Sequence, residues 1–412
     1  MRPSPWPLPP LRLLVLAAAA SAERLQSGLV RHVSGEGHTA AQHGAGGAGW
    51  GYMLPHSIKW GYTGVQEVMF VQHLSSDHHG DVYAATVTGC PGVPEDFRIA
   101  VKHVLTNRIA IAEARFLDLL QGVGVVKYLH HAPPFIAMEL ADKDLAEVAR
   151  YRREDERFKL YVPDETVVAR QLLSTLALMH GRGIVHRNLQ LQNVLLCCRG
   201  NETAKTCHTR ITDLGSACSF GNDAQVHCGA TAIAPGEWDR WPVEAWLSAT
   251  PTLHWGSMNA TLSDIWALGI VLCELHLGRS CRPDFDGYGY EYWWDVSTRA
   301  LNLEGGAGLL HAWRKWQARG RLVKLMQMYE RHVQKIVADE AIRDSWLRPL
   351  LARMMSVRIE GRCSAAECLD LVPVAGWEEP LEDDENSDIH FRIQECLIGG
   401  GGSRLIPRQR AV

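Results

Sequence analysis

Three short segments hold the residues best suited to chemistry. Ile99-Ala100-Val101-Lys102 sets a lysine at the end of an apolar, strand-like run. His186-Arg187-Asn188-Leu189-Gln190-Leu191-Gln192-Asn193 gathers an imidazole, a guanidinium and several amides just ahead of the apolar Val194-Leu195-Leu196. Asp213-Leu214-Gly215 adds a carboxylate beside a glycine. A carboxylate is the hard anionic oxygen donor that small divalent cations prefer, and an asparagine amide is a neutral one. Singly, none of these is diagnostic. Lys102 would serve equally as a surface lysine at a strand end, and Asp213 as a turn cap.

In this order the segments resemble the eukaryotic protein kinase set: the strand lysine of V-A-I-K, the H-R-D-x-x-x-x-N loop and D-F-G. The resemblance extends over about residues 67–372. It implies an α+β, two-lobed protein kinase-like fold, with a small β-rich N-lobe over about 67–140 and a large α-helical C-lobe over about 141–372. It also implies ATP and Mg2+ as cofactors. Phosphoryl transfer is mostly positioning and charge stabilisation, and the resemblance distributes those tasks. Lys102 holds the α/β-phosphates and Glu113 orients it. Asp213 and Asn193 take the metal. Val82 and Ala100 cover the adenine from above and Leu195 from below. Met138 is the gatekeeper of a hinge at Ala137-Met138-Glu139-Leu140. Gly80-Asp81-Val82-Tyr83 matches the end of the phosphate-covering loop. Arg187 and Asn188 lie in the catalytic loop. Ser263-Asp264-Ile265-Trp266-Ala267-Leu268-Gly269 matches the buried helix whose aspartate holds that loop. Arg362 resembles the late arginine that pairs with the A-P-E glutamate, present here as Ala234-Pro235-Gly236-Glu237 with one inserted residue.

The departures bear on catalysis. Asn188 occupies the slot of the catalytic aspartate, and an amide has no useful basicity at neutral pH, so it cannot take the proton of a substrate hydroxyl. Gln190 replaces the lysine that serine/threonine kinases usually carry. Ser75 and Asp77 stand where the first two loop glycines belong. Side chains there hold the backbone away from phosphate, and Asp77 would repel it. Glu113 follows Lys102 by only 11 residues, a short connection for this family.

The elements that must position these residues are asymmetric along the chain. Strands are expected at 67–73, 81–88, 98–105 and 135–140, with a short helix at 109–120. From about Pro163 helices dominate: 166–180 with Asp164 as N-cap, an apolar helix at 262–277 buried all round, and an amphipathic helix at 344–355. A small β-rich part followed by a larger α-rich part suggests two lobes. The hairpin between Asn193 and Asp213 is lengthened by residues 197–207, and its cysteines could face each other across the strands. A bridge and buried thiols are both open there, and also for Cys218 and Cys228. The aromatic run at 288–294 reads as core packing or, in part, a partner surface.

Residues 1–22 have the form of a secretory signal peptide. Arg2 and Arg12 supply positive charge, residues 13–20 a short apolar core, and Ala20-Ser21-Ala22 a small-x-small cleavage site. Residues 23–66 read as a flexible Gly/His-rich leader and 373–412 as an acidic, Gly-rich tail. No later apolar run is clean enough to cross a membrane, because Asp264 and Glu274 interrupt 262–277, so no transmembrane helix is expected after signal cleavage. Eleven cysteines in an oxidising lumen should partly pair. Sequons at Asn201 and Asn259 agree with that compartment. A net charge of −4 argues against a nucleic-acid binder. With 46% hydrophobic and 21% charged residues, the composition is that of a globular protein rather than a disordered or fibrous one. The expectation is a secreted or lumenal, ATP-binding, kinase-like glycoprotein with impaired or absent phosphotransfer and a regulatory or scaffold role. Its partner is a protein. The alternative is an active atypical kinase that transfers the ATP γ-phosphate to a hydroxyl of a lumenal or secreted protein.

Overall fold

The apolar strand around Lys102 must be covered on both faces, since its alternate residues are nearly all buried. The computed structural model shows how, and it describes residues 56–60, 66–77, 79–154, 164–199, 206–219, 240, 242–243, 260–283, 309–374 and 387–398. Residues 1–22, most of residues 23–66, both sequons, Ala234-Pro235-Gly236-Glu237, Cys228, the aromatic run and the glycine run at 399–402 lie outside these residues.

The N-lobe is a six-stranded antiparallel sheet in the order β1-β2-β3-β4-β6-β5. The strands are β1 (Ser57–Trp60), β2 (Gln66–Ser76), β3 (Gly80–Thr88), β4 (Arg98–Val104), β5 (Tyr128–Ala132) and β6 (Phe135–Glu139). Strand alternation sends Ala100 and Lys102 of β4 to the face shared with helix α1 (Asn107–Leu119). Ile99 and Val101 go to the opposite face, where they pack with Trp60, Val68, Leu129, Ile393 and Leu397. The last two belong to a helix at Ser387–Ile398, within the stretch expected to be an acidic tail. Ile389, Ile393, Cys396 and Leu397 recur at helical spacing, and that stripe closes the outer face of the sheet. A Cys90–Cys396 disulfide clamps the helix in place.

The C-lobe is helical. Helix α2 (Leu145–Glu154) leads to α3 (Glu165–Gly181), whose N-cap Asp164 accepts from Thr166 N at 2.7 Å, as expected. Helix α4 (Ala260–Leu277) is buried on all sides; of the described residues it alone is long and apolar enough to cross a membrane. Its Trp266 lies 5.4 Å from Tyr329 of α5 (Leu309–Val337), a long helix that the sequence reading omitted. The helix expected at 344–355 is found at Leu347–Met354, starting three residues later, with a separate short helix, Glu340–Arg343, before it. Pro349 is the reason: its missing N–H is harmless in a first turn but would break a helix begun at Asp344. Strand β5 was also missed, since Tyr128-Leu129-His130-His131-Ala132 shows no polar–apolar alternation. The lengthened hairpin, β7 (Val194–Arg199) against β8 (Thr206–Ile211), pairs Cys198 opposite Cys207 and bonds them. Further disulfides join Cys273 to Cys281 and Cys363 to Cys368, and Cys218 is disulfide-bonded too.

Candidate nucleotide and metal site

Only Leu105 and Thr106 separate β4 from α1, so Glu113 in the second turn of the helix comes back under the strand. Thr106 caps that helix. Ala110, Glu113, Ala114 and Leu117 form its buried stripe. The short spacing therefore does not misplace Glu113: Lys102 Nζ donates to Glu113 Oε1 at 3.0 Å and to Asp213 Oδ1 at 2.7 Å. Burial pulls the Lys102 ammonium down, but Asp213 and Glu113 together hold it above the ordinary lysine range. Burial raises Asp213, yet the Lys102 charge outweighs this and leaves its carboxyl well below the usual carboxylate range. Glu113 is fully enclosed, and burial pushes it up more than the shared ammonium pulls it down. One ammonium serves two buried carboxylates and lies closer to Asp213.

The loop between β2 and β3 folds toward this cluster. Asp77 Oδ1 accepts from the backbone N–H groups of His79 and Gly80 at 2.7 and 2.8 Å, and its Oδ2 lies 4.0 Å from Lys102 Nζ. A Cβ on Gly80 would stand 1.9 Å from the His103 carbonyl oxygen, so the close strand approach requires glycine there. His79 is buried, with Nδ1 3.5 Å from Asp213 Oδ1. Burial lowers its pKa, but Asp213 more than reverses this and holds the imidazole above the ordinary histidine value.

The catalytic loop is held from below. Asp264 of α4 accepts from the backbone N–H of His186 and of Arg187, both at 2.8 Å, and contacts His180 Nε2 at 3.0 Å. Burial raises its pKa, but His180 and His186 reverse this and hold it below the ordinary value. Arg187 sits at a positive φ of 68°, a strain of about 1–3 kcal/mol that these bonds offset. Its Nε donates to the Ser216 carbonyl at 2.7 Å. His186 Nε2 bonds the Thr212 carbonyl at 2.9 Å, while its Nδ1 accepts from Asn188 N at 3.1 Å. Asn188 Nδ2 donates to Asp213 Oδ2 at 2.8 Å, and Asn193 Nδ2 approaches the same oxygen at 3.2 Å. Asn188 Oδ1 is buried with no protein hydrogen-bond partner.

Above this floor opens a cleft of about 490 Å³. Val82, Ala100, Met138 and Leu195 supply apolar walls, and Lys102, Asn193 and Asp213 a polar end. Opposite β-pairs set this: Val82 faces Lys102 across β3–β4, and Ala100 faces Met138 across β4–β6. The hinge follows β6, with Leu140, Ala141 and Asp142 on the cleft wall. A Mg2+ ion fits the donors present. Asp213 offers a carboxylate, and Asn193, at 3.2 Å, can turn its amide oxygen to the same point. Of the expected site residues, Gly80 stays back in the hairpin and Arg187 turns to Ser216. Arg362 stacks over Trp266 at 5.2 Å and donates to the Leu262 and Ser356 carbonyls. Sequence reasoning missed His79, and also Asp144 and Glu147 at the cleft mouth. Only the position of His79 beside the displaced glycines could have singled it out.

Comparison with known proteins agrees with this geometry. The family model "Protein kinase domain" matches residues 98–372 and thus begins after the β2–β3 hairpin. A serine/threonine-protein kinase SSN3 of Coccidioides immitis is 26% identical over 236 residues, 54% of this chain and 46% of that protein. Mitogen-activated protein kinase 12 of Oryza sativa subsp. japonica is 26% identical over 295 residues, 66% of this chain and 45% of that protein. Mitogen-activated protein kinase spk1 of Schizosaccharomyces pombe is 23% identical over 345 residues, 80% of this chain and 84% of that protein. The chain thus spans about half the length of the first two of these relatives. With a lysine–glutamate pair on a curled sheet, a loop pinned by a buried helix aspartate, and a family match over most of its length, the chain belongs to the protein kinase family.

Proposed function

We propose that this protein is a nucleotide-binding pseudokinase of the secretory pathway, with a regulatory or scaffold role toward a protein partner. The observation that carries the reading is Asn188. Its amide nitrogen is spent on Asp213 Oδ2 at 2.8 Å, and its carbonyl oxygen can orient a hydroxyl but cannot take its proton. Lys102, Glu113, Asn193 and Asp213 are assembled around the cleft, which supports ATP with Mg2+ as ligand. Magnesium, when bound, would neutralise phosphate charge; Lys102 would bind the α/β-phosphates, and the apolar walls the adenine. The disulfides and the signal-like residues 1–22 support an oxidising lumen. The intact Lys102–Glu113 pair, together with relatives named as serine/threonine kinases, favours a second reading, an atypical active kinase acting on a lumenal or secreted protein.

The test is ATP binding with and without Mg2+, then phosphotransfer on the same sample. A ligand at 100 times its Kd stabilises the folded state by about 2.7 kcal/mol, so Tm should rise with ATP and Mg2+. Lys102→Ala and Asp213→Ala should each reduce that rise. No rise at millimolar ATP, with the protein folded, would leave only a scaffold without nucleotide. Wild-type turnover of a protein substrate at roughly 1–100 s⁻¹, the usual kinase range, would establish the second reading instead.

A further inference from the structure

The loop between β2 and β3 carries a carboxylate, Asp77, at one of its glycine positions and an imidazole, His79, two residues on. One ligand atom each from Asp77, His79 and Asp213 lies within 4.8 Å of the others. We infer that Asp77, His79 and Asp213 form a site for a divalent transition-metal cation that binds in the absence of nucleotide. This inference does not rest on ATP binding.

Four observations carry it. First, His79 Nδ1 and Asp213 Oδ1 stand 3.5 Å apart, too far for a strong hydrogen bond. Two donors bound at about 2.1 Å to one tetrahedral ion stand roughly 3.4 Å apart, so this pair already has the span of shared ligands. Second, Asp77 is pre-oriented. Its Oδ1 is tied by two backbone N–H groups, at 2.7 and 2.8 Å, and its Oδ2 is turned toward Lys102 and the cleft. Hydrogen bonds of this kind are what fix a ligating carboxylate. Third, the His79 ring occupies space that only glycine leaves, because a Cβ on Gly215 would lie 2.9 Å from Nδ1. Nδ1 is the ring nitrogen on the Asp213 side, while Nε2 lies 3.5 Å from Ser216 Oγ. Fourth, the cluster is short of positive charge. Asp77, Glu113 and Asp213 surround a single ammonium, and Glu113 Oε2 is buried with no hydrogen-bond partner. Three carboxylates thus share one ammonium, and a divalent cation would add the missing positive charge. Lys102 keeps Glu113 as its partner when Asp213 turns to the ion. The imidazole determines the class: a nitrogen donor with two carboxylates suits Mn2+ or Zn2+ better than Mg2+, which takes oxygen ligands.

The experiment titrates the full chain, stripped with a chelator and free of nucleotide, with Mn2+ while the electron paramagnetic resonance signal of the aqueous ion is read. Zn2+ serves as competitor. One ion should bind, and Zn2+ should displace it. Asp77→Asn keeps an oxygen to cap the turn while removing the anionic ligand, and His79→Ala removes the nitrogen. Each should weaken Mn2+ at least tenfold with circular dichroism unchanged. If His79→Ala fails to fold, Asp77→Asn decides alone. Absence of a bound ion, or wild-type affinity in Asp77→Asn, overturns the inference. So does a loss of affinity in Asn193→Ala that Asp77→Asn lacks, since the ion would then sit on Asp213 and Asn193. The ATP and Mg2+ thermal shift, read on the same preparation, keeps the two ideas apart. A shift without a Mn2+ site removes this inference alone, and a Mn2+ site without a shift removes only the nucleotide reading.

Discussion

Asn188 and Asp264 do different work within the same loop, and substitutions at the two positions separate chemistry from stability. Asn188→Asp is nearly isosteric and restores a carboxylate where a substrate hydroxyl would arrive. If the base is the missing part, phosphotransfer appears in this variant and not in wild type, a gain of about 10²–10⁴ measured by transfer of labelled phosphate. If both bind ATP and neither transfers it, the loop side chains Ser75 and Asp77 also obstruct the reaction. Asp264 is a structural acid. Asp264→Asn leaves one of its three donors, at 2.8, 2.8 and 3.0 Å, facing an amide N–H. It should cost about 2–4 kcal/mol in denaturant unfolding, the range for lost hydrogen bonds to a buried charge. Because the folded pKa of Asp264 is depressed, its stabilisation is complete above its unfolded value near 4 and is lost as pH falls through the folded one. The difference between wild type and Asp264→Asn should therefore be largest at neutral pH and shrink in acid. A gap that widens toward low pH would contradict this assignment.

At the scale of elements, the Ser387–Ile398 helix completes the N-lobe. Its Ile393 and Leu397 are fully buried against β1, β2, β4 and β5, so Ile393→Ala should cost about 2–5 kcal/mol in the N-lobe core. The Cys90–Cys396 bridge spans 306 residues of chain and removes unfolded-state freedom, a stabilisation typically of about 2–4 kcal/mol. Replacing both cysteines with serine should lower stability by that amount and raise hydrogen exchange in Ser387–Ile398 and in Tyr128–Ala132. Unchanged protection in both segments would show that packing alone holds the helix.

At the scale of the molecule, disulfides pin the sheet to its covering helix, the β7–β8 hairpin to itself, and two helical segments of the C-lobe to their neighbouring turns. A protein built this way should fold well in an oxidising lumen and poorly in a reducing one. Material recovered from secretion is expected to begin at Glu23 and to carry glycan on Asn201, the sequon in the hairpin expected to be exposed. N-terminal sequencing and glycosidase digestion check both. Cytosolic protein with Met1 intact would contradict the compartment.

The lobes, the main strands, the helices at 165–181 and 260–277, and the set Lys102, Asn193 and Asp213 were legible because local patterns carry them. These patterns are period-two burial, an N-cap aspartate, an unbroken apolar helix, and motifs whose order survives any folding detail. The pairing of Lys102 with Glu113 at 3.0 Å was legible as an expectation, and the tertiary structure supplied its reason, a two-residue turn between strand and helix. Other features came only from long-range packing. The helix at Ser387–Ile398 has its apolar stripe in the sequence, but nothing local says that the stripe covers a strand some 290 residues earlier. His79 is one histidine among 19 until the hairpin folds it against Asp213. The sequence determined which groups this kinase-family chain has for holding phosphate and metal and that it lacks the usual base. Tertiary structure decided that the loop's own imidazole is buried against Asp213 and its carboxylate stands at the exposed edge of the same cluster, because strand pairing across β2–β3 brings their side chains to the Lys102 end of the cleft.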